Sequence, residues 1–432
     1  MVAWYALALA LTGCSGDCDD GQCVVAVSVS TPTIDECAGF CAVVEVTRPR
    51  GRPVRELELG LESDVDGPLF GSHMETDKDG IAEVCIVGPL TPGTHKVTAP
   101  PCAGCDSEEA VIDVEPFGAA YGLHREVGVL EEVPWVPEIS TPQTEPILEP
   151  NPEGWDAIAA MAAAPVWFEG EQFVYYAGAS DEAFAIGVAG RSDRSEPLQR
   201  IDGPLEELQQ GEGSWNAFGQ QAPHAMVVDG EIWLYYTGAS LVDGGLNIGL
   251  ATSSDGVSFV AHPDNPVLSP TEEIGDFDWR GVGHPSVILR DGVYEMWYAS
   301  GTLAIGYALS TDGLNFERYC GNPILVGNGE DTWDAGQVKS PEVVFDGSMY
   351  WMTYSGCDPC FQVGFAASID GLRWTLHPEP ILPAGAFDWS SVATQSAFIE
   401  VDGDTWHYWY TGNDGAVQSL GMAQSPAPPS GL

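Results

Sequence analysis

The chain has 432 residues, and Lys+Arg 15 against Asp+Glu 64 leaves a formal charge of −49. No basic stripe is available to neutralise phosphates, which excludes a nucleic-acid binder and docking on an anionic leaflet through protein charge. Hydrophobic residues at 44% with 14 Trp exclude a disordered acidic tail, and Gly 51 with Pro 32 predicts many short strands and turns. In chain order, the first element is the apolar run Met1–Leu11, followed by Thr12-Gly13-Cys14-Ser15. No later stretch approaches the roughly 18 to 20 apolar residues of a membrane span.

Leu11 and two small residues directly before Cys14 resemble the lipobox of bacterial lipoproteins. The resemblance implies a signal peptide over 1–13, cleavage before Cys14 and acylation of its thiol. With Ser15 next, it also implies sorting to the outer membrane or cell surface, where the lipid is the membrane contact. The alternative is an ordinary cleaved signal peptide that leaves Cys14 a plain cysteine. Residues 14–23 then form a tether. Ten cysteines remain, seven before residue 110 and three after 319, which suits disulfides in an oxidising compartment. Both groups are odd, so either one pair crosses between domains or two thiols stay free. Cys357-Asp358-Pro359-Cys360 reads as a loop disulfide rather than half a zinc site, since no second Cys or His pair sits at matching spacing.

Residues 24–115 run strand after strand: Val24–Val29, Cys41–Val46, Leu57–Leu61, Ile81–Val87 and His95–Ala99. Period-two alternation between Gly/Pro turns predicts a small β-sandwich. The stretches Thr76-Asp77-Lys78-Asp79-Gly80 and Pro92–Val97 resemble immunoglobulin-like modules of bacterial surface proteins, which implies a spacer or adhesion module.

From about residue 126 to 432 the sequence repeats. Trp155, Trp215, Trp279, Trp333 and Trp389 recur at spacings of 60, 64, 54 and 56 residues. Each is followed by an aromatic strand, such as Trp233-Leu234-Tyr235-Tyr236-Thr237-Gly238, and a third strand, such as Ile248-Gly249-Leu250-Ala251. Five such units predict a five-bladed β-propeller. Outer segments end in Asn265–Leu268, Asn322–Leu325 and Glu379–Leu382, whereas the fifth unit stops after Ala423. Trp135–Glu138 and Glu145–Leu148 upstream supply the missing piece, so the N-terminal edge is expected to close the last blade.

The run Asn265 to Gly313, with its Asn-Pro, Trp-Tyr, Ile-Gly-Tyr-Ala and Ser-Thr-Asp-Gly phrases, is similar to the five-bladed propeller glycoside hydrolases. That superfamily includes arabinanases, β-xylosidases and invertases. The resemblance implies action on furanosides, pentosides or fructans in a central funnel, with two carboxylates as acid and as base or nucleophile. Those acids belong at the Pro that opens each innermost strand. Here the corresponding residues are Ala164, His284 and Lys339 or Ser340, so the family's acids are not matched.

The remaining candidates at the funnel are Glu342 as a catalytic acid, and His224, His284, Lys339, Gln395 and Arg280 as ligand-binding groups. Glu342 could equally be a solvated strand-end acid. His224 and His284, read as equivalent positions in adjacent blades, would bind a sugar hydroxyl, a metal or water, or plug a narrow channel. Asp156, Asp276, Asp278, Asp331, Asp334 and Asp388, with Asn216, sit near the repeated Trp and read as structural caps. Asp278 and Asp334 are also candidates for a Ca²⁺ or substrate site at the rim. Two functions follow: a surface lipoprotein that binds and processes extracellular glycans, or a non-catalytic propeller that binds glycan or a protein partner.

Overall fold

The computed structural model describes the backbone of ten strands between residues 23 and 115. It also describes residues 117–429, except 124, 126–127, 141–143, 182, 209–212, 241–244, 302 and 330–331. Cys14 and Asp331 lie outside the described residues, as do the side chains of the N-terminal cysteines. The chain divides into two compact units, Met1–Val127 with Tyr319–Gly321, and Gly128–Arg318 with Asn322–Leu432.

The first unit is built of strands at the alternating runs. Phe40–Arg48 lies between Cys23–Ser28 and Ile81–Ile86, antiparallel to both. A second sheet orders Thr33–Asp35, Glu109–Glu115 and Gly93–Thr98.

The second unit is all-β, with five antiparallel strand groups that follow one another as propeller blades, the first, second and fifth of them joined into one sheet by single parallel pairs. Their innermost strands are Ala159–Phe168, Gly219–Val228, Val282–Arg290, Gln337–Phe345 and Ala393–Asp402. The aromatic strands pair with these: Glu171–Ala179, Glu231–Ala239, Val293–Ser300, Tyr350–Cys357 and Thr405–Asn413. β-Branched and aromatic residues fill them because each is covered on both faces by neighbouring blades. Tyr176, Tyr236, Tyr298 and Tyr354 are buried there accordingly.

The repeated Gly residues have a shared cause. A Cβ on Gly178 or Gly187 would fall closer than 3.0 Å to the Trp155 ring, and Gly238 and Gly249 meet Trp215 in the same way. The indole lies flat across two strands, and only Gly leaves room beneath it. Trp333 and Trp389 repeat the arrangement over Gly356, Gly364, Gly412 and Gly421. In the third blade the plate is Phe277, over Gly306. This corrects the expectation for Trp279, which instead carries the Arg280 guanidinium 4.8 Å from its ring. The frame is set by the buried acid that follows the plate: Phe277-Asp278 matches Trp155-Asp156 and Trp333-Asp334.

The upstream segment meets the fifth blade. Ser140 bridges Gln424, and Leu148 bridges Leu420 as Leu268, Leu325 and Leu382 bridge Ile248, Ile305 and Val363. Trp389 Nε1 donates to the Thr144 carbonyl, just as Trp333 Nε1 donates to that of Pro378, each at 3.0 Å.

Candidate functional site

Each innermost strand contains the same irregularity. Pairing with the aromatic strand skips two residues, between Met161/Ala164, Gln221/His224, Gly283/Ser286, Lys339/Glu342 and Gln395/Phe398. The first skipped residue takes a left-handed backbone: Ala162 φ 51, Ala222 φ 47, His284 φ 49, Ser340 φ 51 and Ser396 φ 50. Such bulges are uncommon for residues other than Gly, and five in a ring mark a designed feature that pushes the chain towards the axis. Hydroxyls of the preceding blade hold three of them: Thr411 Oγ1 accepts from the Ala162 amide, Thr237 Oγ1 from His284 and Ser355 Oγ from Ser396, at 2.8–2.9 Å.

The bulges define the true equivalences. Ala162, Ala222, His284, Ser340 and Ser396 form one ring; Ala164, His224, Ser286, Glu342 and Phe398 form the next. His224 and His284 are therefore not equivalent, and the first-blade counterpart of His284 is Ala162 rather than Ala164. Pro165 is a false landmark, because it lies two residues past the bulge, whereas Pro223, Pro285 and Pro341 lie within theirs.

Residues of both rings line a single axial cavity of about 30 Å³, together with Ala163, Pro223, Pro285, Pro341 and Ala397. Room of this size holds about two water-sized groups. Glu342 is the one carboxylate among its lining residues. Its Oε1 lies 2.9 Å from His224 Nδ1, while His224 Nε2 donates to the Val287 carbonyl at 2.8 Å. A carbonyl only accepts, so Nε2 carries a proton and the Nδ1–Oε1 contact shares one more. His224 and Glu342 are both buried, 5% and 8% exposed, and form a polar plug across three blades.

Towards the strand starts, Ser396 donates to Ser340 at 3.2 Å and Ser340 Oγ lies 3.1 Å from His284 Nδ1. Desolvation, with the Lys339 ammonium nearby, pushes the His284 imidazole down to about 3. Burial lowers Lys339 to about 8, and its Nζ sits 3.8 Å over the Phe361 ring. Lys339 and Gln395 flank the ring without lining the cavity; Gln395 Nε2 donates to Gln418 at 2.9 Å. Arg280 is exposed and apart from it.

The acids near the plates tie strands within their own blades. Asp156, Asp278 and Asp334 are buried and accept from the hydroxyls of Tyr176, Tyr298 and Tyr354, at 2.9–3.1 Å. Arg200 and Arg318 complete the first two. Burial and the adjoining carboxylate push all three phenols far above their usual range. Of the two rim-site candidates, Asp278 accepts from Tyr298 and Arg318, and Asp334 from Thr332 and Tyr354, so both carboxylates are engaged within the fold. Among the described residues no three His, Cys, Asp or Glu side chains gather as a metal ion would require. The loop-disulfide expectation is corrected: Cys357 and Cys360 are free. Cys357 pairs with Phe361 across the hairpin, which places Cys360 inside the turn and out of register. Cys320 is disulfide-bonded.

No family model matches the chain. A stretch of 110 residues is 29% identical to a β-1,2-mannobiose phosphorylase of Thermoanaerobacter sp. (strain X514), covering 22% of this chain and 35% of that protein. The match spans about a third of the relative's length. Among solved structures, one from a study of the GH130 family of mannoside phosphorylases, described as containing glycoside hydrolases that target β-1,2-mannosidic linkages in Candida mannan, is similar. Its TM-score is 0.54 at 16% identity, over 71% of this chain and 99% of that one. The β-1,2-mannobiose phosphorylase of Listeria innocua gives 0.51 at 15%, over 67% and 97%. The fold is thus that of propellers found in glycoside hydrolases and mannoside phosphorylases.

Proposed function

We propose that the propeller is a glycan-recognition module that binds sugar at its axial mouth without hydrolysing it, carried at a cell surface by a lipid on Cys14. One observation carries this reading: the axial cavity has a single carboxylate, and that carboxylate is bound to His224. Glycoside hydrolysis needs a proton donor and a second carboxylate as base or nucleophile, separated by roughly 5 to 9.5 Å. The bulge ring instead presents Ala162, Ala222, His284, Ser340 and Ser396, of which the imidazole and the two hydroxyls can hydrogen-bond a sugar but none is a second carboxylate. Similarity to proteins named for mannoside chemistry supports a pyranoside ligand of the mannan type over the furanosides and fructans expected from sequence. The first unit, in this reading, is the spacer between anchor and propeller.

The test pairs a glycan array with turnover assays on β-mannosides, xylosides and arabinofuranosides, each with and without phosphate. Binding to mannan-type glycans without product release is expected. Robust turnover that Glu342→Gln abolishes would show an enzyme instead. Absence of any glycan binding would leave a protein partner for the propeller.

A further inference from the structure

We propose that the axial cavity is a subsite for the exocyclic hydroxymethyl group of a hexopyranose, with His284 donating to its hydroxyl and Glu342 accepting from it. This rests on the glycan-binding reading and names the sugar class that the site admits.

Size comes first. A cavity of about 30 Å³ takes two water-sized groups, so a sugar ring stays outside and only a substituent enters. A ring hydroxyl brings one heavy atom and leaves half the space unfilled, whereas an N-acetyl group brings four. A hydroxymethyl group brings two. Its carbon needs an apolar wall, which Ala162, Ala222 and Pro285 supply.

Hydrogen-bond polarity comes next. Ser340 Oγ accepts from Ser396 and lies 3.1 Å from His284 Nδ1, and in the proposed arrangement it gives its own proton to that nitrogen. A neutral imidazole that accepts at Nδ1 carries its proton at Nε2, and His284 has no other side-chain partner among the described residues. His284 therefore offers one fixed N–H donor. Glu342 engages His224 through Oε1 alone. Whichever partner holds the shared proton, Oε2 stays an acceptor. A hydroxyl needs one donor and one acceptor, and the lining of this cavity offers both. A site that provides buried hydrogen bonds to a hydroxyl discriminates strongly against an analogue without it, because its own groups are left unpaired.

The experiment is titration calorimetry on the full chain with a β-1,2-linked mannobioside and two analogues that differ only at C5 of the terminal sugar. One carries hydrogen there, the lyxoside; the other carries methyl, the 6-deoxymannoside. Affinity is expected to fall on the order of a hundredfold for the lyxoside and at least about tenfold for the 6-deoxy compound. His284→Ala should bring the three ligands to within about threefold of each other, and His284→Gln, which keeps a donor near Nε2, should restore part of the spread. Equal affinity of the wild type for mannoside and lyxoside overturns this subsite while leaving glycan recognition standing. No binding of any hexopyranoside or pentopyranoside overturns both.

Discussion

The His284 imidazole is strongly lowered by burial, and its protonation links the site to stability. The free imidazole titrates near 6.5 and the folded one near 3. Between those values the unfolded chain binds the extra proton, so stability is complete above about 6.5 and falls as pH drops towards 3. His407, lowered by burial and by Arg194, acts in the same direction. Asp255, Asp312 and Asp346, held low chiefly by hydrogen bonds, contribute only nearer the usual carboxylate range. The window from pH 6.5 to about 4.5 therefore isolates the histidines. Thermal melts of His284→Gln across that window should show a flatter decline than the wild type, with a limiting slope difference of about 1.4 kcal/mol per pH unit. Parallel curves would mean that His284 is charged in the fold. Its candidacy was legible, since it stands directly before a strand-opening proline. Its partnership with Ser340 and Ser396 was not, because these contacts are made between blades and depend on a bulge that no periodicity reveals.

Within each blade, the aromatic plate and its two glycines form a unit that the repeat exposed plainly. The pattern Tyr-x-Gly on the aromatic strand and Gly-x-Ala on the next recurs because an indole must lie on both strands at once. The third blade departs from it, and the departure is informative. Phe277 covers less area, so Ser300 replaces the first glycine there while Gly306 is kept. Spacing counted on Trp alone was misled by Trp279; counted on the plates it becomes 60, 62, 56 and 56. Gly249→Ala should force the Trp215 ring outward and cost about 1–3 kcal/mol by overpacking. Gly170→Ala meets nothing within 4 Å and should cost only the left-handed backbone penalty of about 1–2 kcal/mol. The distinguishing measurement is the double variant with Trp215→Ala. Removing the ring should relieve the Gly249→Ala penalty and leave that of Gly170→Ala unchanged. Equal additivity in both cases would show that the plate does not require the glycine.

Closure of the ring sets the stability of the whole propeller, and it depends on residues far away in sequence. The fifth blade has three strands of its own, and its outer edge would present unpaired Leu420 and Gln424 backbone to solvent. Residues 140 and 148 cover that edge, and side chains of the same segment reach further. Trp135 lies edge-on to Trp351, Phe365 and Trp406, at ring distances of 5.4–5.8 Å, and so ties the fourth blade to the fifth. Leu130, Val133 and Ile139 pack on the same cluster, while Leu148 is buried beside Val174 and Leu420. Trp135→Ala alone should cost about 3–5 kcal/mol, the usual range for truncating a packed aromatic. Excising 128–150 in frame removes several such side chains together with the edge pairing. Against a total stability of about 5–15 kcal/mol, that loss is enough to unfold the domain. Circular dichroism should show Trp135→Ala melting cooperatively at lower temperature, and the excised chain without a cooperative transition. If the excised chain melts as the parent does, the ring closes without its N-terminal segment. In that case the blade-five edge must be stable alone, and the match between Thr144-Glu145-Pro146-Ile147-Leu148 and Pro378-Glu379-Pro380-Ile381-Leu382 would be without structural consequence.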